Sequence, residues 1–208
     1  MRPQDRLRSV ISSLLTAALV SMQFPLVLVP ATPALGATGD MTWVLASPGS
    51  DTGFSTKVAL SADGSRVAFQ SSAADLVPGD TNGQYDVFAY TLASGEMTRV
   101  SVPQGGGQST WGGFDPVIDD DGSAVGFSSY SSTLVAGDTN GGTDGFIRDL
   151  SLGWTRRVTM GPGQLSGNSQ LSAVDADASQ VLFFTSATLT NDFNGPEDDV
   201  VRHDLDAS

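Results

Sequence analysis

Three segments of this 208-residue chain repeat the same residue types in the same order, and this repeat restricts the folds open to the chain. In each copy, a short turn is followed by a Val-x-Phe run, a loop rich in aspartate and asparagine, and a run that begins with aspartate. The first loop aspartates stand at 80, 138 and 192, which are 58 and 54 residues apart. A β-sandwich with chance self-similarity is the alternative, but repetition of the loop sequence itself favours an array of one structural unit.

Each copy predicts four short β-strands. The first strand ends at the turn, the second is the Val-x-Phe run, the third begins with aspartate, and the fourth carries Arg-Val-Ser or Arg-Val-Thr, at 99–101 and 157–159. The 24 glycines and the short turns between these runs indicate an all-β chain. Because four strands at a fixed period are typical of β-propellers, we predict four-stranded antiparallel blades at about 56–102, 114–160 and 171–208.

The order of the strands predicts an incomplete ring. A strand of the fourth type is predicted ahead of the first copy, at residues 41–46, and the last predicted strand is of the third type. Propellers have about four to eight blades, and three blades alone would leave open sheet edges. We therefore expect the three repeats to belong to a larger ring, formed either by a longer chain or by self-assembly of several copies.

The motifs S-x-D-G, V-x-F-x-S, L-V-x-G-D-T-N-G-x-x-D-V-F and R-V-S, found in register, resemble the TolB-like, WD-repeat-like propeller repeats of secreted and envelope bacterial proteins. The resemblance covers residues 41–208. It implies a non-catalytic propeller that binds proteins or other ligands, a type that also occurs beside serine-peptidase domains. The third copy departs from the pattern, because Ala178 replaces the turn glycine and one additional loop residue places Asp198 beside the closing Asp199.

The amino-terminal segment predicts export. Arg2, Arg6 and Arg8 precede an apolar run over 10–29 and a stretch of small residues, which is the pattern of a secretory signal peptide. We predict a signal at 1–37 and a propeller at 38–208 that is periplasmic or extracellular and is not stably inserted in the membrane; an uncleaved anchor is the alternative. The net charge of −13 argues against nucleic acid and anionic lipid as partners.

The loop D-x-N-G-x-x-D is the most specific candidate site. Aspartate and asparagine at alternate positions around a glycine can supply the oxygen ligands that calcium prefers. The alternative is structural, because these residues also cap turns, and the closing aspartate would then fix the loop to the next strand. The candidate calcium ligands are Asp80, Asn82 and Asp86 in the first copy, Asp138, Asn140 and Asp144 in the second, and Asp192, Asn194 and Asp199 in the third.

The remaining candidate residues are one histidine, three aromatic residues and an acidic run. His203 is the only histidine, and no G-x-S-x-G motif is present, so a complete hydrolase site is not expected. Trp111, Phe114 and Trp154 either line a ligand-binding face or pack between blades. The acidic run at 119–121 is typical of a solvated turn.

These features predict an exported, non-catalytic propeller module for a protein or glycan partner, with calcium as its candidate ion. Two alternatives stay open. The chain is the amino-terminal propeller of a larger secreted hydrolase such as a serine peptidase, or it is a structural surface protein in which the repeats act as spacers.

Overall fold

A computed structural model of the chain describes residues 53–160, 165–189 and 198–205. All regular secondary structure within these ranges is β-strand, and the eleven strands form three separate antiparallel sheets. The predicted signal at 1–37 and the predicted leading strand at 41–46 lie outside the described residues.

The first two sheets have four strands each, and sequence neighbours pair throughout. Blade 1 contains β1 (Ser55–Leu60), β2 (Arg66–Ser71), β3 (Asp86–Thr91) and β4 (Glu96–Arg99). Blade 2 contains β5 (Phe114–Ile118), β6 (Ala124–Ser129), β7 (Asp144–Asp149) and β8 (Thr155–Arg157). Blade 3 contains β9 (Ser169–Val174), β10 (Gln180–Thr185) and β11 (Asp199–Asp204) within the described ranges. The predicted all-β fold of antiparallel blades is confirmed.

Each blade has two faces because side chains alternate along a strand. We call the face that carries the Val-x-Phe side chains the leading face, and the opposite face the trailing face. In blade 1, Phe69 of β2 and Phe88 of β3 share the leading face, with ring centroids 5.7 Å apart. Phe127 and Phe146 make the same pair in blade 2, also at 5.7 Å.

The hydrophobic core lies between successive blades. The trailing face of blade 1 packs against the leading face of blade 2 in one buried cluster, which contains Ala68, Val87, Ala89, Val100, Val125, Phe127, Leu134 and Phe146. The trailing face of blade 2 packs against the leading face of blade 3 in a second cluster, which includes Ala124, Ile147, Val158, Leu171, Val181 and Phe183. Glycine is required at 126 because a Cβ there would overlap the side chains of Leu171 and Val117.

Backbone hydrogen bonds join the three turns between first and second strands. The Asp63 N–H donates to the Asp120 carbonyl at 3.0 Å, and the Asp120 N–H donates to the Ala176 carbonyl at 3.2 Å. These bonds run from blade 1 to blade 2 and from blade 2 to blade 3, and they fix the turns in one row.

The turn of blade 3 keeps its geometry without glycine. Gly64 and Gly122 have φ of 70° and 72°, and Ala178 at the equivalent position has φ of 56°. Alanine is strained in this left-handed region, whereas glycine is not. At this turn, the third copy therefore differs from the other two in its residue and keeps the same left-handed backbone conformation.

Candidate functional site

The predicted calcium loop of blade 1 connects β2 to β3, and its closing aspartate is buried. Asp86 begins β3, and its Oδ2 accepts a hydrogen bond from the Asn82 side-chain amide at 3.1 Å. Its Oδ1 accepts a hydrogen bond from the Ser101 hydroxyl, which in turn accepts one from the Val87 N–H at 3.0 Å. The Arg99 guanidinium lies 3.7 Å from Asp80 Oδ1.

The loop of blade 2 repeats these contacts. Asp144 begins β7, and its carboxylate accepts hydrogen bonds from the Asn140 amide at 2.9 Å and the Thr159 hydroxyl at 2.9 Å. Thr159 Oγ1 also accepts a hydrogen bond from the Gly145 N–H at 3.0 Å. Arg157 Nη1 lies 3.2 Å from Asp138 Oδ1 and 3.7 Å from Asp144 Oδ2.

The loop and the fourth strand are therefore two halves of one structural site, which we call the loop–strand cluster. Its arginine and its hydroxyl residue come from the Arg-Val-Ser/Thr motif, namely Arg99 and Ser101 in blade 1 and Arg157 and Thr159 in blade 2. Sequence analysis found both motifs and treated the second one only as a strand. The signal was available, because both motifs recur at the same positions in the first two copies.

The contacts in both clusters favour the structural alternative over calcium. Asp86 and Asp144 face N–H and O–H donors, and the nearby guanidinium groups carry the same sign of charge as a cation. Burial raises the pKa of the Asp144 carboxyl against the lowering effect of the hydrogen bonds from Thr159 and Asn140. Within the described part of the chain, no group of three acidic or histidine side chains is placed to hold a metal.

The third loop is described only in part. Asp192 and Asn194 lie outside the described residues, and Asp199 begins β11. Calcium binding by the nine candidate residues therefore stays a prediction.

The acidic turn residues have capping contacts. Asp63 and Asp121 each accept a hydrogen bond at 2.8 Å from the N–H two residues further on, and Asp177 accepts the equivalent bond at 3.3 Å. Hydrogen bonds from the Ser61 hydroxyl and the Ser65 N–H lower the pKa of Asp63. These are Asx turns, in which the side chain stabilises the local backbone.

A second candidate site lies where the first strands of the three blades come together. A pocket of about 340 Å³ is lined by residues of β1, β5 and β9 and by Phe184 of β10, and we call it the first-strand pocket. Its polar residues are Lys57, Asp115 and Gln170, one from each blade. Lys57 Nζ lies 3.5 Å from Asp115 Oδ1, and the Gln170 amide donates a hydrogen bond to Asp115 Oδ2.

The backbone at two of these residues is strained. Lys57 and Asp115 have φ of 50° and 49°, and each lies at a register shift where its strand pairs irregularly with the next one. Such bulges re-aim side chains, and left-handed conformations of residues other than glycine concentrate at functional sites. Lys57 is also the only lysine of the chain. Sequence analysis did not find this site, because its residues share no motif.

Of the three aromatic candidates, Trp154 has the predicted packing role between blades. Trp154 packs against the core between blades 2 and 3, and the Arg156 guanidinium lies 5.1 Å from its ring centroid. Phe114 contacts Tyr130 at a centroid distance of 5.6 Å, and Trp111 is exposed. None of the three lines the first-strand pocket.

His203 of β11 joins blade 3 to blade 2, because its Nδ1 lies 2.7 Å from the Val158 carbonyl oxygen. A search of the described residues for a helix with the length and apolarity to span a membrane found none.

Comparison with known proteins finds solved structures of similar fold. No family model matches the sequence, and no curated protein matches it. A structure from an analysis of two prolyl endopeptidases has a TM-score of 0.50 at 18% identity, covering 81% of this chain and 23% of that one. TolB from Acinetobacter baumannii has a TM-score of 0.46 at 16% identity, covering 74% of this chain and 30% of TolB.

The propeller domain of the Trilobed protease from Pyrococcus furiosus is a third similar structure, with a TM-score of 0.45, 11% identity and coverage of 74% of this chain and 40% of that one. This chain therefore spans less than half the length of each of the three. Likeness at this level of identity shows the fold alone. The three antiparallel sheets and the cores between them identify the described residues as blades of a β-propeller.

Proposed function

We propose that this chain is an exported, non-catalytic β-propeller module that binds a protein or glycan partner at the first-strand pocket. The observation that carries the proposal is the meeting of Lys57, Asp115 and Gln170 from three different blades. The strained backbone at Lys57 and Asp115 supports it, because strain of this kind persists where the surrounding structure holds a side chain in a required position.

The pocket combines polar and apolar groups in the way that ligand sites do. An ammonium, a carboxylate and an amide lie beside apolar side chains that include Val58, Val117 and Phe184. The lysine side chain is largely exposed, whereas that of Asp115 is about three-quarters covered. This set suits a ligand that offers both hydrogen-bonding groups and an apolar surface, such as a peptide or a sugar.

No residue is assigned a chemical step. The charged residues of the pocket pair with each other, and the histidine faces a backbone carbonyl instead of a hydroxyl group. Export follows from the signal predicted at residues 1–37, and the net charge of −13 suits a soluble exported module.

The test is binding to peptide and glycan arrays. The wild-type protein is expected to bind a defined set of array ligands, and Asp115→Asn and Lys57→Gln are each expected to weaken binding to those ligands. Arg202→Gln is the matched control, because Arg202 is a largely exposed cation outside the pocket. Array ligands that bind all three variants equally, or an absence of array ligands, would contradict the proposal.

A second candidate function is the propeller domain of a larger secreted hydrolase. The likeness to the prolyl endopeptidase structure, over 81% of this chain and 23% of that one, favours it. Sequencing the coding region beyond the codon for Ser208 separates the two, because only this candidate requires a catalytic motif there.

A further inference from the structure

Four aromatic residues lie close together where blade 1 borders blade 2, at the edge where β3 and β5 begin. The Gly113 N–H donates to the Tyr85 carbonyl at 2.9 Å, and the rings of Phe114 and Tyr130 have centroids 5.6 Å apart. Trp111 stands two residues before Gly113 and is 53% exposed, and Tyr130 is 55% exposed. We call the set the aromatic corner: Tyr85, Trp111, Phe114 and Tyr130.

The repeat shows that three of these aromatic residues are peculiar to blade 2. In each blade the first strand pairs with the residue that follows the Val-x-Phe run, and this register makes the positions of the three blades equivalent. Each of the three stands where blades 1 and 3 carry a small or polar residue. The equivalent residues are Gly53 and Gly167 for Trp111, Thr56 and Gln170 for Phe114, and Ser72 and Ser186 for Tyr130.

The packing of the repeat does not account for tryptophan at 111. A Cβ at Gly53 or Gly167 would overlap the backbone of the residue two positions after the second strand of the same blade. Blades 1 and 3 therefore require glycine at the position where blade 2 carries its largest exposed ring. The departure from the repeat places aromatic surface in solvent instead of burying it.

The hydrogen bonds of the repeat do not account for tyrosine at 130 either. Ser72 and Ser186 each accept a hydrogen bond from the backbone N–H just before the first strand of their blade, at 3.0 and 3.2 Å. Tyr130 replaces this capping hydroxyl with an exposed ring. Local departures from a pattern, when they expose apolar surface, are typical of binding surfaces.

The chemistry of the corner suits a neutral ligand. In a chain with a net charge of −13, the segments 108–114 and 129–136 contain no charged residue. Exposed hydroxyl groups lie beside the rings, since Thr110 Oγ1 and Thr133 Oγ1 are 3.4 Å apart. Tryptophan and tyrosine present an apolar ring with a polar tip. A sugar ring has the matching form, with an apolar face of C–H groups and hydroxyls at its rim.

We infer that the aromatic corner binds a neutral polysaccharide, whose sugar rings stack on Trp111 and Tyr130 and whose hydroxyls bond to the two threonines. This site is separate from the first-strand pocket, because none of the four aromatic residues lines that pocket. The rings are exposed at an edge rather than enclosed, so one sugar unit gains little there. A long chain that contacts several rings at once therefore binds more tightly than the short sugars of an array.

The first test is native electrophoresis of the full chain through gels that each contain one dissolved polysaccharide. Hydroxyethylcellulose, galactomannan and arabinoxylan are the neutral probes, and polygalacturonate is the anionic probe. We expect at least one neutral probe to slow the protein. Polygalacturonate should leave its mobility unchanged, because the chain is acidic and the two segments of the corner carry no cation.

The repeat supplies variants that are expected to fold. Trp111→Gly and Tyr130→Ser introduce the residues that blades 1 and 3 carry at the same positions, so each should keep the melting temperature within about 3 °C of the wild-type value. Each should weaken binding of the neutral probe by about tenfold or more, because a stacked ring is lost.

Two controls separate the corner from the rest of the surface. Leu152→Ala is matched for exposure, because Leu152 is 72% exposed in the turn between β7 and β8, at the opposite edge of blade 2. Lys57→Gln alters the first-strand pocket only. Both variants should be slowed by the neutral probe as strongly as the wild type, so failure of the corner and failure of the pocket give different results.

Tryptophan fluorescence gives a second test at the same residue. A bound polysaccharide should protect Trp111 from quenching by acrylamide, whereas Trp154 is packed against the core between blades 2 and 3. The neutral probe should therefore reduce quenching in the wild type and leave it unchanged in Trp111→Gly.

Several results would overturn the inference. They are mobility that no neutral probe changes, equal retardation by polygalacturonate, and retardation that Trp111→Gly and Tyr130→Ser leave intact. Peptide-array ligands that Trp111→Gly weakens would make the corner a protein-binding surface and would also overturn the assignment to a polysaccharide. Retardation that Lys57→Gln abolishes would place the polysaccharide in the first-strand pocket instead.

Discussion

Thr159→Val removes one hydroxyl from the loop–strand cluster of blade 2 and keeps the shape of the side chain. The Thr159 hydroxyl donates to Asp144 at 2.9 Å and accepts from the Gly145 N–H at 3.0 Å, and both bonds are buried. Valine can make neither bond, so a buried carboxylate loses a donor and a buried N–H loses its acceptor.

The expected loss of stability follows from these two bonds. A hydrogen bond to a charged group contributes about 1.5–3 kcal/mol, and an unsatisfied buried N–H costs about 1–3 kcal/mol. We therefore expect Thr159→Val to lower the free energy of unfolding by about 3–5 kcal/mol. For a domain of this size, that lowers the melting temperature by about 6–20 °C.

The assay is thermal and denaturant unfolding of the variant and the wild type, followed by circular dichroism. Thr110→Val is the matched control, because the Thr110 hydroxyl is exposed and makes only a 3.4 Å contact with Thr133. It should change the stability by less than about 0.5 kcal/mol. A melting temperature for Thr159→Val within the error of the wild-type value would refute a stabilising role for the loop–strand cluster.

Four further predictions concern single residues or conditions. Ala178→Gly should raise stability by about 0.5–1 kcal/mol in chemical denaturation, because it relieves a left-handed alanine, and Gly64→Ala should lower it by a similar amount, since a Cβ there meets nothing within 4 Å. Arg157→Ala should lower stability by about 3–5 kcal/mol in the same assay, because it removes the cation beside the buried carboxylates of Asp138 and Asp144. An effect no larger than that of Arg202→Ala, at an exposed site, would contradict this prediction. Burial raises the folded-state pKa of Asp144 above its ordinary value of 3.8, so between neutral pH and 3.8 the native state binds more protons than the unfolded state. The stability of the wild type relative to Asp144→Asn should therefore increase as the pH falls from neutral towards 3.8. A decrease over this pH range would contradict the direction of the pKa shift. Millimolar calcium and a chelator should give the same melting temperature if the loops are fixed by protein donors, whereas a rise with calcium would support the metal site.

The blades could be predicted from the sequence because their signals are local. Each strand is a short run of β-branched and aromatic residues between turn residues, and the same order appears three times. A repeated local pattern identifies the unit, and the unit then identifies the fold. The choice between metal ligand and turn cap could not be made in this way, because aspartate and asparagine serve both roles and the choice depends on which donors approach them.

The site residues that sequence analysis missed are distant from each other along the chain. Arg157 reaches Asp138 from the fourth strand of the same blade, and Lys57, Asp115 and Gln170 come from three different blades. The proximity of Lys57, Asp115 and Gln170 depends on how blades pack, which no single repeat encodes. Within the part of the chain that the structure describes, the run from 180 to 185 has the sequence of a core strand, yet Leu182 and Phe184 on its trailing face are exposed.

The first-strand pocket is central to the proposed function, and the single lysine of the chain gives a direct measurement of it. The protein is treated with an amine-reactive acylating reagent, with and without a ligand taken from the arrays, and the acylated fraction of Lys57 is measured by mass spectrometry. We predict that the ligand strongly reduces acylation of Lys57, while acylation of the amino terminus in the same sample is unchanged. Equal acylation of Lys57 with and without a bound ligand would place the binding site elsewhere and contradict the account.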